Sequence, residues 1–488
     1  MTRWRMLLGN ERGVALVLTL MILLVLTGLV LAFLSVSAME PQISRNLGDT
    51  LRARYLAEAG LEAGFNTLIG LGDGNNTWTG QLTGATNGNP WRVLPALNAA
   101  TLPGISAANG GTFTVSIRND RVSSDNALTG ETTADANAAT DVNRVVFMRA
   151  TSTFNGATKT LEVVVKRAQS GLPPFPGAVN VPGSQADTFV NTQFFDIDGR
   201  DYRCSSNCDN ANQWDVDDDN PAKYALAVNT GTQSNVGVTY ESRVESAFGT
   251  SGSCDTGCSD NKKNSIRGKD QTDPTDTTTG LNAIGADSSL NPSVMQSFLS
   301  KLAAFPGTTI LQSTMACPMI LEGTSGQPNK PTLRNNNGGS GGASCTLNQT
   351  LDLGSRSDPK LIYFRGELDT SSTFTGLQLG LGSGYPKLKG AGILVVEDGD
   401  LRQMGEFEWD GIVIVTGRYV GAGFRTSSTT DIRGAFVALE TQPGEASGFF
   451  EFYLDALANR FSVRNSTQNV NMVQFMRALH TMSSWREI

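Results

Sequence analysis

Two short segments of this 488-residue chain concentrate carboxylates at spacings that suit a hard cation. They hold Asp196, Asp198 and Asp201 in the first segment and Asp215, Asp217 and Asp219 in the second. Calcium accepts about six to eight oxygen ligands in irregular geometry, so both segments are candidate calcium sites. Neither has the closing glutamate of an EF-hand loop, and a solvated acidic turn is the alternative reading of each.

Cysteine is the second residue type that could carry chemistry. The six cysteines all follow residue 34, and they are Cys204, Cys208, Cys254, Cys258, Cys317 and Cys345. An even number of cysteines in an oxidising compartment predicts three disulfides, whose pairing the sequence leaves open. A zinc site built from the two C-x3-C pairs is the alternative, although structural zinc sites favour C-x2-C spacing and no histidine accompanies these pairs.

Patterns that would support catalysis are sparse. The single histidine, His480, lies in an apolar run, so we expect it to pack rather than to react. Five acids would suit a polysaccharide-cleaving enzyme only if they converged: Asp398, Asp400, Glu406, Glu408 and Asp410. The net charge of −8 provides no basic face for nucleic acid. The sequence therefore predicts a protein that is not an enzyme and does not bind nucleic acid.

Those five acids lie within or between short β runs that look like copies of one unit. The copies cover residues 361–368, 392–401 and 411–420, with a partial copy at 434–439. From Gly392 to Gly411 the step is 19 residues, and from Gly411 to Gly434 it is 23. β runs with a corner glycine, repeating near every 20 residues, predict parallel β-solenoid rungs. An irregular β-meander is the alternative.

The N-terminal sequence predicts the cellular location of the chain. A polar, basic leader ends at Gly13, and an uninterrupted apolar run of 21 residues follows at 14–34. A membrane-spanning helix needs about 20 residues, whereas a secretory signal has an apolar region of about 7–15. The basic leader places the N-terminus in the cytoplasm and the rest of the chain beyond the inner membrane. Secretion with cleavage after Ala38 and an uncleaved anchor are the alternatives.

The segment that follows resembles a known family. SRNLGD at 44–49, RAR at 52–54 and YLAEAGLE at 55–62 are similar to the N-terminal region of PilX-type minor pilins, and also to GspK-type pseudopilins of type II secretion. The resemblance covers about residues 11–66. It implies that a prepilin peptidase cuts between Gly13 and Val14, and that the retained helix waits in the inner membrane before packing against other major and minor pilins.

Position 18 departs from the major pilins. They carry a glutamate as the fifth residue after the cleaved bond, and this chain has Leu18. The resemblance assigns to that carboxylate the neutralisation of a neighbouring subunit's N-terminal amine, because an unpaired charge in an apolar medium is costly. A chain without it, and with a very large head, is expected at the filament tip on the cell surface, where it would initiate assembly or contact an adhesin or surface ligand.

Two alternatives to a type IV pilus remain open at this point. One is a tip pseudopilin of a type II secretion system. The other, from a different functional class, is a membrane-anchored glycan-binding adhesin or a β-solenoid polysaccharide-active enzyme. A binding groove would be lined by exposed aromatic residues, for which the sequence offers Tyr363, Trp409 and Tyr419.

These observations predict an α+β fold: a long N-terminal transmembrane and amphipathic pilin helix on an antiparallel sheet, followed by a large β-rich domain with β-solenoid rungs. In the helix, Ile43, Leu47, Leu51 and Tyr55 predict a buried stripe that Leu61, Phe65 and Leu68 extend. The expected segments are a leader (1–13), the helix (14–69), a pilin-like β head (70–168), a Pro-rich linker (169–177), a Cys/Asp-rich β region (178–360), the repeat region (361–448) and a closing segment (449–488).

Finer elements are also expected within these segments. In the head, strands are predicted at 112–118, 145–153 and 160–166, with an Asn-Gly hairpin between the last two and a mobile loop at 122–141. In the second domain, helices are predicted at 292–305 and 470–479.

Overall fold

A computed structural model of the chain describes residues 11–71, 77–168, 171–183, 188–190, 195–208, 213–232, 237–249, 265–270, 282–305, 308–335, 345–367, 376–381, 384–399, 401–417, 421–424, 429–440, 452–456 and 461–488. The chain divides into two compact units. The first is Met1–Lys166 with Met482–Ile488, and the second is Arg167–Thr481.

Six α-helices are found in the described ranges. They are α1 (Glu11–Ile69), α2 (Ala107–Gly110), α3 (Asn126–Thr129), α4 (Tyr240–Gly249), α5 (Pro292–Ala304) and α6 (Thr467–Met472). The strands of the first unit, before the chain enters the second, are β1 (Arg92–Val93), β2 (Thr112–Asn119), β3 (Val145–Phe154) and β4 (Ala157–Arg167).

The remaining strands follow in chain order. They are β5 (Gly177–Val181), β6 (Thr188–Val190), β7 (Phe195–Asp198), β8 (Tyr202–Cys204), β9 (Trp214–Val216), β10 (Tyr224–Val228), β11 (Ile266–Arg267), β12 (Ile284–Ala286), β13 (Ile310–Gln312), β14 (Met319–Thr324), β15 (Gln327–Asn335), β16 (Asn348–Thr350), β17 (Lys360–Arg365), β18 (Leu377–Leu379), β19 (Leu388–Glu397), β20 (Leu401–Gln403), β21 (Phe407–Gly417), β22 (Gly421–Phe424), β23 (Thr430–Glu440), β24 (Phe452–Ala456), β25 (Phe461–Asn465) and β26 (His480–Glu487).

Helix α1 is one uninterrupted helix of 59 residues, and Pro41 does not end it. Its polar side chains in the apolar run are satisfied within the helix, because the hydroxyls of Thr19 and Thr27 donate to carbonyls of the preceding turn. Among the described residues it is the one helix long and apolar enough to cross a membrane, with a mean hydropathy of 3.0 in its most apolar window.

The first unit places the end of α1 on a five-stranded sheet of order β1-β2-β3-β4-β26. The pairs β2–β3 and β3–β4 are antiparallel, which confirms the three predicted strands. Gly60 and Gly64 let the helix approach closely: a Cβ at Gly60 would lie 2.9 Å from the Phe113 ring, and one at Gly64 would lie 2.7 Å from Val115. The predicted hairpin is confirmed, since Asn155 and Gly156 both have positive φ, as a type I′ turn requires.

The segment 122–141 differs from the predicted mobile loop. It contains a short 3-10 turn and α3, and its conformation is fixed by buried polar groups. Asn119 donates from Nδ2 to Asp135 and to the carbonyls of Asn137 and Thr140. The prediction was wrong because it weighed only the lack of apolar side chains, whereas here hydrogen bonds to buried amide and carboxyl groups order the backbone.

The second unit is built from two sheets whose strands alternate along the chain. One sheet contains the order β11-β7-β25-β23-β21-β19-β17-β13, and the other contains β16-β15-β14-β18-β20-β22-β24-β6. Each strand from β17 to β22 pairs in parallel with the strand two places later along the chain. This parallel pairing excludes the β-meander alternative, whose neighbours would run antiparallel.

Three glycines mark the predicted repeat. Gly392 pairs with Gly411, and Gly411 with Gly434, so the sequence steps of 19 and 23 residues equal the register of the strands. Their φ angles are 122°, 134° and 149°. A Cβ on Gly411 would lie 2.1 Å from the carbonyl oxygen of Gly392, so only glycine fits here. The three glycines lie inside β19, β21 and β23 and not, as the sequence predicted, at corners between strands.

The early strands of the second unit extend the stack made by its last strands. β5, β6 and β7 pair in parallel with β23, β24 and β25. A large apolar core draws side chains from both sheets. A second core lies under α5, where Phe298 and Leu302 pack with Tyr363 and Ile393. Helix α5 confirms the helix predicted at 292–305, and its N-cap Asn291 accepts from the Ser293 N–H.

The helix predicted at 470–479 is wrong in part. Helix α6 ends at Met472, and two 3-10 turns follow at Val473–Phe475 and Arg477–Leu479. Met476 between them is extended, with φ −62° and ψ 135°. The last seven residues, which the sequence places in a closing segment, belong to the first unit, where β26 lies beside β4.

Candidate functional site

Beyond the membrane-length run, α1 presents an apolar stripe to solvent. Ile43, Leu47, Leu51 and Tyr55 are 65%, 59%, 44% and 66% exposed. Further along the same helix a second set is buried on the sheet: Ala53, Leu56, Ala57, Leu61, Phe65 and Leu68. The predicted single buried stripe is therefore wrong for its first four members.

Position along α1, together with its rotation, separates the exposed residues from the buried ones. A spacing of four residues advances about 40° beyond one full turn, so a strict i, i+4 series rotates around the helix. From Ile43 to Tyr55 that rotation sums to about 120°. Leu47 and Phe65 are 18 residues apart, about five full turns, so they lie on the same face of the helix. Leu47 is exposed because the described side chains of α1 before residue 48 are all exposed, and burial on the sheet begins only after it. The stripe of residues 43, 47, 51 and 55 is called the exposed stripe below.

The exposed stripe lies outside the membrane. If residues 14–34 fill the hydrocarbon core, Tyr55 is 21 residues further on, which is about 31 Å along a helix. Contiguous exposed apolar surface in water marks an interaction site. The charged neighbours form ion pairs within the helix, such as Arg54 with Glu58 at 3.2 Å, so they need no external partner.

The predicted processing site lies at the start of α1. Val14 and Leu18 are exposed members of the apolar run, and Gly13 is inside the helix. The leader residues 1–10 lie outside the described residues. Cleavage between Gly13 and Val14 stays a prediction.

The described residues contain two disulfides. Cys204 pairs with Cys208, and Cys317 pairs with Cys345. Trp214 donates from Nε1 to the Cys208 carbonyl, which ties the small disulfide loop to β9. Cys254 and Cys258 lie outside the described residues. A zinc site from four thiolates is not formed here, because two of the four sulfurs are bonded to each other.

The two Asp-rich segments meet in the structure. Asn220 donates to Asp201 at 2.8 Å and to Asp217 at 3.2 Å, and the Asp217 N–H donates to the Asp201 carbonyl. Asp215 and Asp219 are exposed. No group of three acidic, histidine or cysteine side chains suited to a metal ion occurs among the described residues. Calcium binding stays a prediction.

Asp196 and Asp198 have arginine partners. Arg267 pairs with both, and Arg200 pairs with Asp198 at 2.7 Å. Burial alone would raise the pKa of Asp198, but the hydrogen bonds from Arg200 and Tyr202 outweigh burial and hold that pKa below its usual value. Burial, followed by the charge of Asp198, raises the pKa of Tyr202 to about 12. Arginine side chains therefore occupy the place of a metal cation beside these two carboxylates.

The structure shows the surroundings of most residues that the sequence offered for catalysis. His480 is buried, its Nδ1 lies 3.0 Å from the Met476 carbonyl, and burial lowers its pKa to about 4, so it is neutral. Glu408 and Asp410 pair with Arg433. Glu406 is exposed, Asp398 directly follows β19 with φ 52°, and Asp400 lies outside the described residues.

The expected aromatic groove is wrong for two of its three residues. Tyr363 and Trp409 are fully buried in the cores of the second unit. They alternate inward along their strands, so neither can line a surface. Tyr419 lies outside the described residues.

Comparison with known protein families gives a match in the N-terminal region. A family model described as PilX N-terminal matches residues 12–62. This stretch is a PilX N-terminal region. It coincides with most of α1 and contains both the apolar run and the exposed stripe, which confirms the resemblance seen in the sequence. The match ends before the sheet of the first unit and does not extend to the second.

No curated protein sequence matches the chain. Among solved structures, the chain is similar to that of the competence-associated pilin ComZ from Thermus thermophilus. The identity is 12%, the similarity covers 90% of this chain and 97% of that chain, and the TM-score is 0.22.

Proposed function

We propose that this protein is a minor pilin of a bacterial type IV pilus. A prepilin peptidase removes residues 1–13, the apolar run holds the chain in the inner membrane with both units in the periplasm, and α1 then packs among the helices of other pilins. The exposed stripe carries the proposal. A filament core made of helices would bury this stripe, whereas a lone anchored domain would leave it in water.

The alternatives explain the stripe less well. A plain membrane anchor needs only the apolar run at 14–34. Secretion with cleavage after Ala38 would remove that run, and the mature chain would begin with an exposed apolar helix. Ala38 also lies inside the continuous α1. A tip pseudopilin of a type II secretion system shares every feature used here and is the second candidate.

A position at the filament tip follows from two further features. Leu18 provides no carboxylate to neutralise the N-terminal amine of a neighbouring subunit, so it does not favour a repeated place along the shaft. The second unit, residues 167–481, is larger than the first and would repeat at every shaft position. One copy at the tip avoids that crowding, and there the protein initiates assembly or adheres to a surface.

We also propose that the second unit is a parallel β-solenoid. The alternation of strands between two sheets, the parallel register and the aligned glycines at 392, 411 and 434 support it. A solenoid is rigid along its stack and would hold binding surfaces away from the cell.

Site-specific cross-linking in pilus-producing cells tests the helix interface. A photoreactive amino acid replaces Leu51 or Tyr55 in the full chain, and Arg45 serves as the control because it is also exposed but lies on another side of α1. We expect adducts to other pilins at Leu51 and Tyr55. The adduct yield at Arg45 should be at least severalfold lower. Equal yields at all three positions, or no adduct at the stripe, would contradict the proposal.

A further inference from the structure

The first unit's sheet has a face that points away from α1, and threonines occupy one end of that face. Their neighbours along the strands, such as Phe113, Ala150 and Leu161, are buried in the core shared with α1, so the threonines lie on the opposite side of the sheet. They alternate along β2, β3 and β4, and they are Thr112, Thr114, Thr151, Thr153, Thr158 and Thr160. We infer that this threonine grid binds the ordered surface of a neutral β-linked polysaccharide, such as cellulose or chitin.

Strand register arranges the threonine grid in two rows. One row contains Thr114, Thr151 and Thr160, and the other contains Thr112, Thr153 and Thr158. Neighbouring strands lie about 4.8 Å apart and alternate residues of one strand about 6.8 Å apart, so methyl and hydroxyl groups repeat in two directions. Antiparallel ladders hold β3 on both sides and fix these positions. A rigid periodic array suits a ligand that is itself periodic, as the chains at the surface of a polysaccharide crystal are.

The hydroxyl groups of the grid can both donate and accept hydrogen bonds. The Thr151 and Thr160 oxygens are 3.1 Å apart, and the Thr153 and Thr158 oxygens are 3.5 Å apart. In each pair one hydroxyl donates to the other, and the second hydroxyl keeps its proton for another acceptor. Thr153 and Thr158 are exposed and the other four threonines are partly exposed. Sugar hydroxyls, which also donate and accept, match these pairs, and the threonine methyl groups match the C–H groups of a sugar ring.

The charge of this face selects a neutral ligand. The grid carries no charged side chain, and the two arginines in the next row of the sheet and on β26, Arg149 and Arg486, both bind Glu162. An anionic polymer would therefore gain little from them. The nearby Trp91 ring has the Arg149 Cζ 4.0 Å from its centroid, so this ring face is not available to stack a single sugar. Binding must come from many weak contacts, which favours an extended surface over a free monosaccharide.

Adsorption to microcrystalline cellulose and to chitin tests the inference, with the full chain in a detergent that has no sugar head group. Thr153→Lys places a long charged side chain in the grid, where contact with a neutral surface would desolvate the charge, and adsorption should fall at least tenfold. Thr350→Lys is the matched control, because Thr350 is also an exposed strand residue but lies on β16 of the second unit. It should leave adsorption unchanged.

A second variant separates binding from stability, because cross-strand threonine pairs also stabilise sheets. Thr151→Val combined with Thr160→Val keeps the branched shape and removes one hydroxyl pair. Adsorption should fall about tenfold while hydrogen exchange of the β3 amides stays unchanged. This variant also replaces Thr153→Lys if the lysine prevents folding.

Several results would overturn the inference. They are no adsorption of the native chain, equal losses in Thr153→Lys and Thr350→Lys, full adsorption of the double valine variant, stronger adsorption to an anionic pectate gel, or displacement by free glucose. Inhibition of ice recrystallisation without adsorption to either polysaccharide would assign the grid to ice instead. The inference does not depend on peptidase processing or on filament entry, so a negative result here leaves the proposed function standing.

Discussion

Four carboxyl groups, those of Asp120, Asp125, Asp135 and Asp141, are buried in the connection between β2 and β3. Burial raises the pKa of Asp120 to about 7, against the hydrogen bond from Asn143. Burial also raises the pKa of Asp141 to about 6, although the N–H groups of Trp78 and Arg144 donate to it. A carboxyl whose pKa is raised by folding stabilises the fold fully below its unfolded pKa near 4, and this stability is lost as the pH rises through the folded pKa.

Asp120→Asn should therefore stabilise the first unit at neutral pH. Asparagine cannot ionise, so the variant keeps at pH 7.5 the stability that the native chain has only at lower pH. One pKa unit corresponds to about 1.4 kcal/mol, and a gain of roughly 1–3 kcal/mol is expected at pH 7.5. Hydrogen exchange of the β2 and β3 amides, measured at pH 5 and 7.5 and corrected for intrinsic rates, reports this difference.

Asp125→Asn is the control for that measurement. Burial acts on Asp125 too, but hydrogen bonding and attraction from Arg118 outweigh it and hold its pKa below the usual value, so its loss should destabilise the unit at pH 7.5. An Asp120→Asn variant that is less protected than the native chain at pH 7.5 would contradict the account of the buried carboxyls.

At the residue scale, sequence alone cannot show these environments. The segment 122–141 has few apolar residues, which predicts a loop, and its order depends on hydrogen bonds from Asn119 that only the folded chain reveals. Likewise, the apolar spacing of the exposed stripe is the same whether it is buried or free. What the sequence could not provide is the position of the sheet, which selects Leu56 and Leu61 for burial and leaves Leu51 exposed.

At the element scale, the predictions that held depend on local signals. The hairpin after β3 follows from Asn155-Gly156, and α5 from its apolar periodicity and its proline in the first turn. Strand β26 was missed because its partner is remote in sequence: Lys159 of β4 pairs with Glu487, 328 residues away. No pattern in a short window specifies which distant strand completes a sheet.

Strand β26 should be required for the stability of the first unit. Arg486 Nε donates to one carboxylate oxygen of the buried Glu162 at 2.9 Å, and Arg149 forms an ion pair with the other oxygen. Removing residues 482–488 deletes this pair and leaves the β4 edge unpaired, which also favours aggregation. We expect hydrogen-exchange protection of the β4 amides to fall at least tenfold.

Single substitutions separate the side-chain pair from the strand itself. Arg486→Gln should cost about 1–3 kcal/mol, because Glu162 keeps Arg149 but loses one charge-assisted hydrogen bond. Trp485→Thr is the control, since Trp485 is exposed and threonine favours strands. Unchanged β4 protection after the truncation would show that β26 does not stabilise the sheet.

At the scale of the whole molecule, the chain enters the second unit after β4 and returns through β26. The sequence showed the parallel repeat from β19 to β23, because steric contact at Gly392, Gly411 and Gly434 demands glycine at a regular spacing. It did not show that β5–β7 stack on β23–β25, since the partner of Val179 is Phe436 and that of Phe195 is Phe461, 257 and 266 residues later and far beyond the repeat spacing.

The central claim is that α1 is a processed pilin helix, and the mature N-terminus tests it most directly. The full chain is produced in cells with and without a prepilin peptidase, and its N-terminus is determined by mass spectrometry. A Gly13→Leu variant serves as the uncleavable control. The account predicts a new terminus at Val14 that appears only with the peptidase and is absent in the variant. Cleavage after Ala38, or an intact leader in the presence of the peptidase, would contradict it.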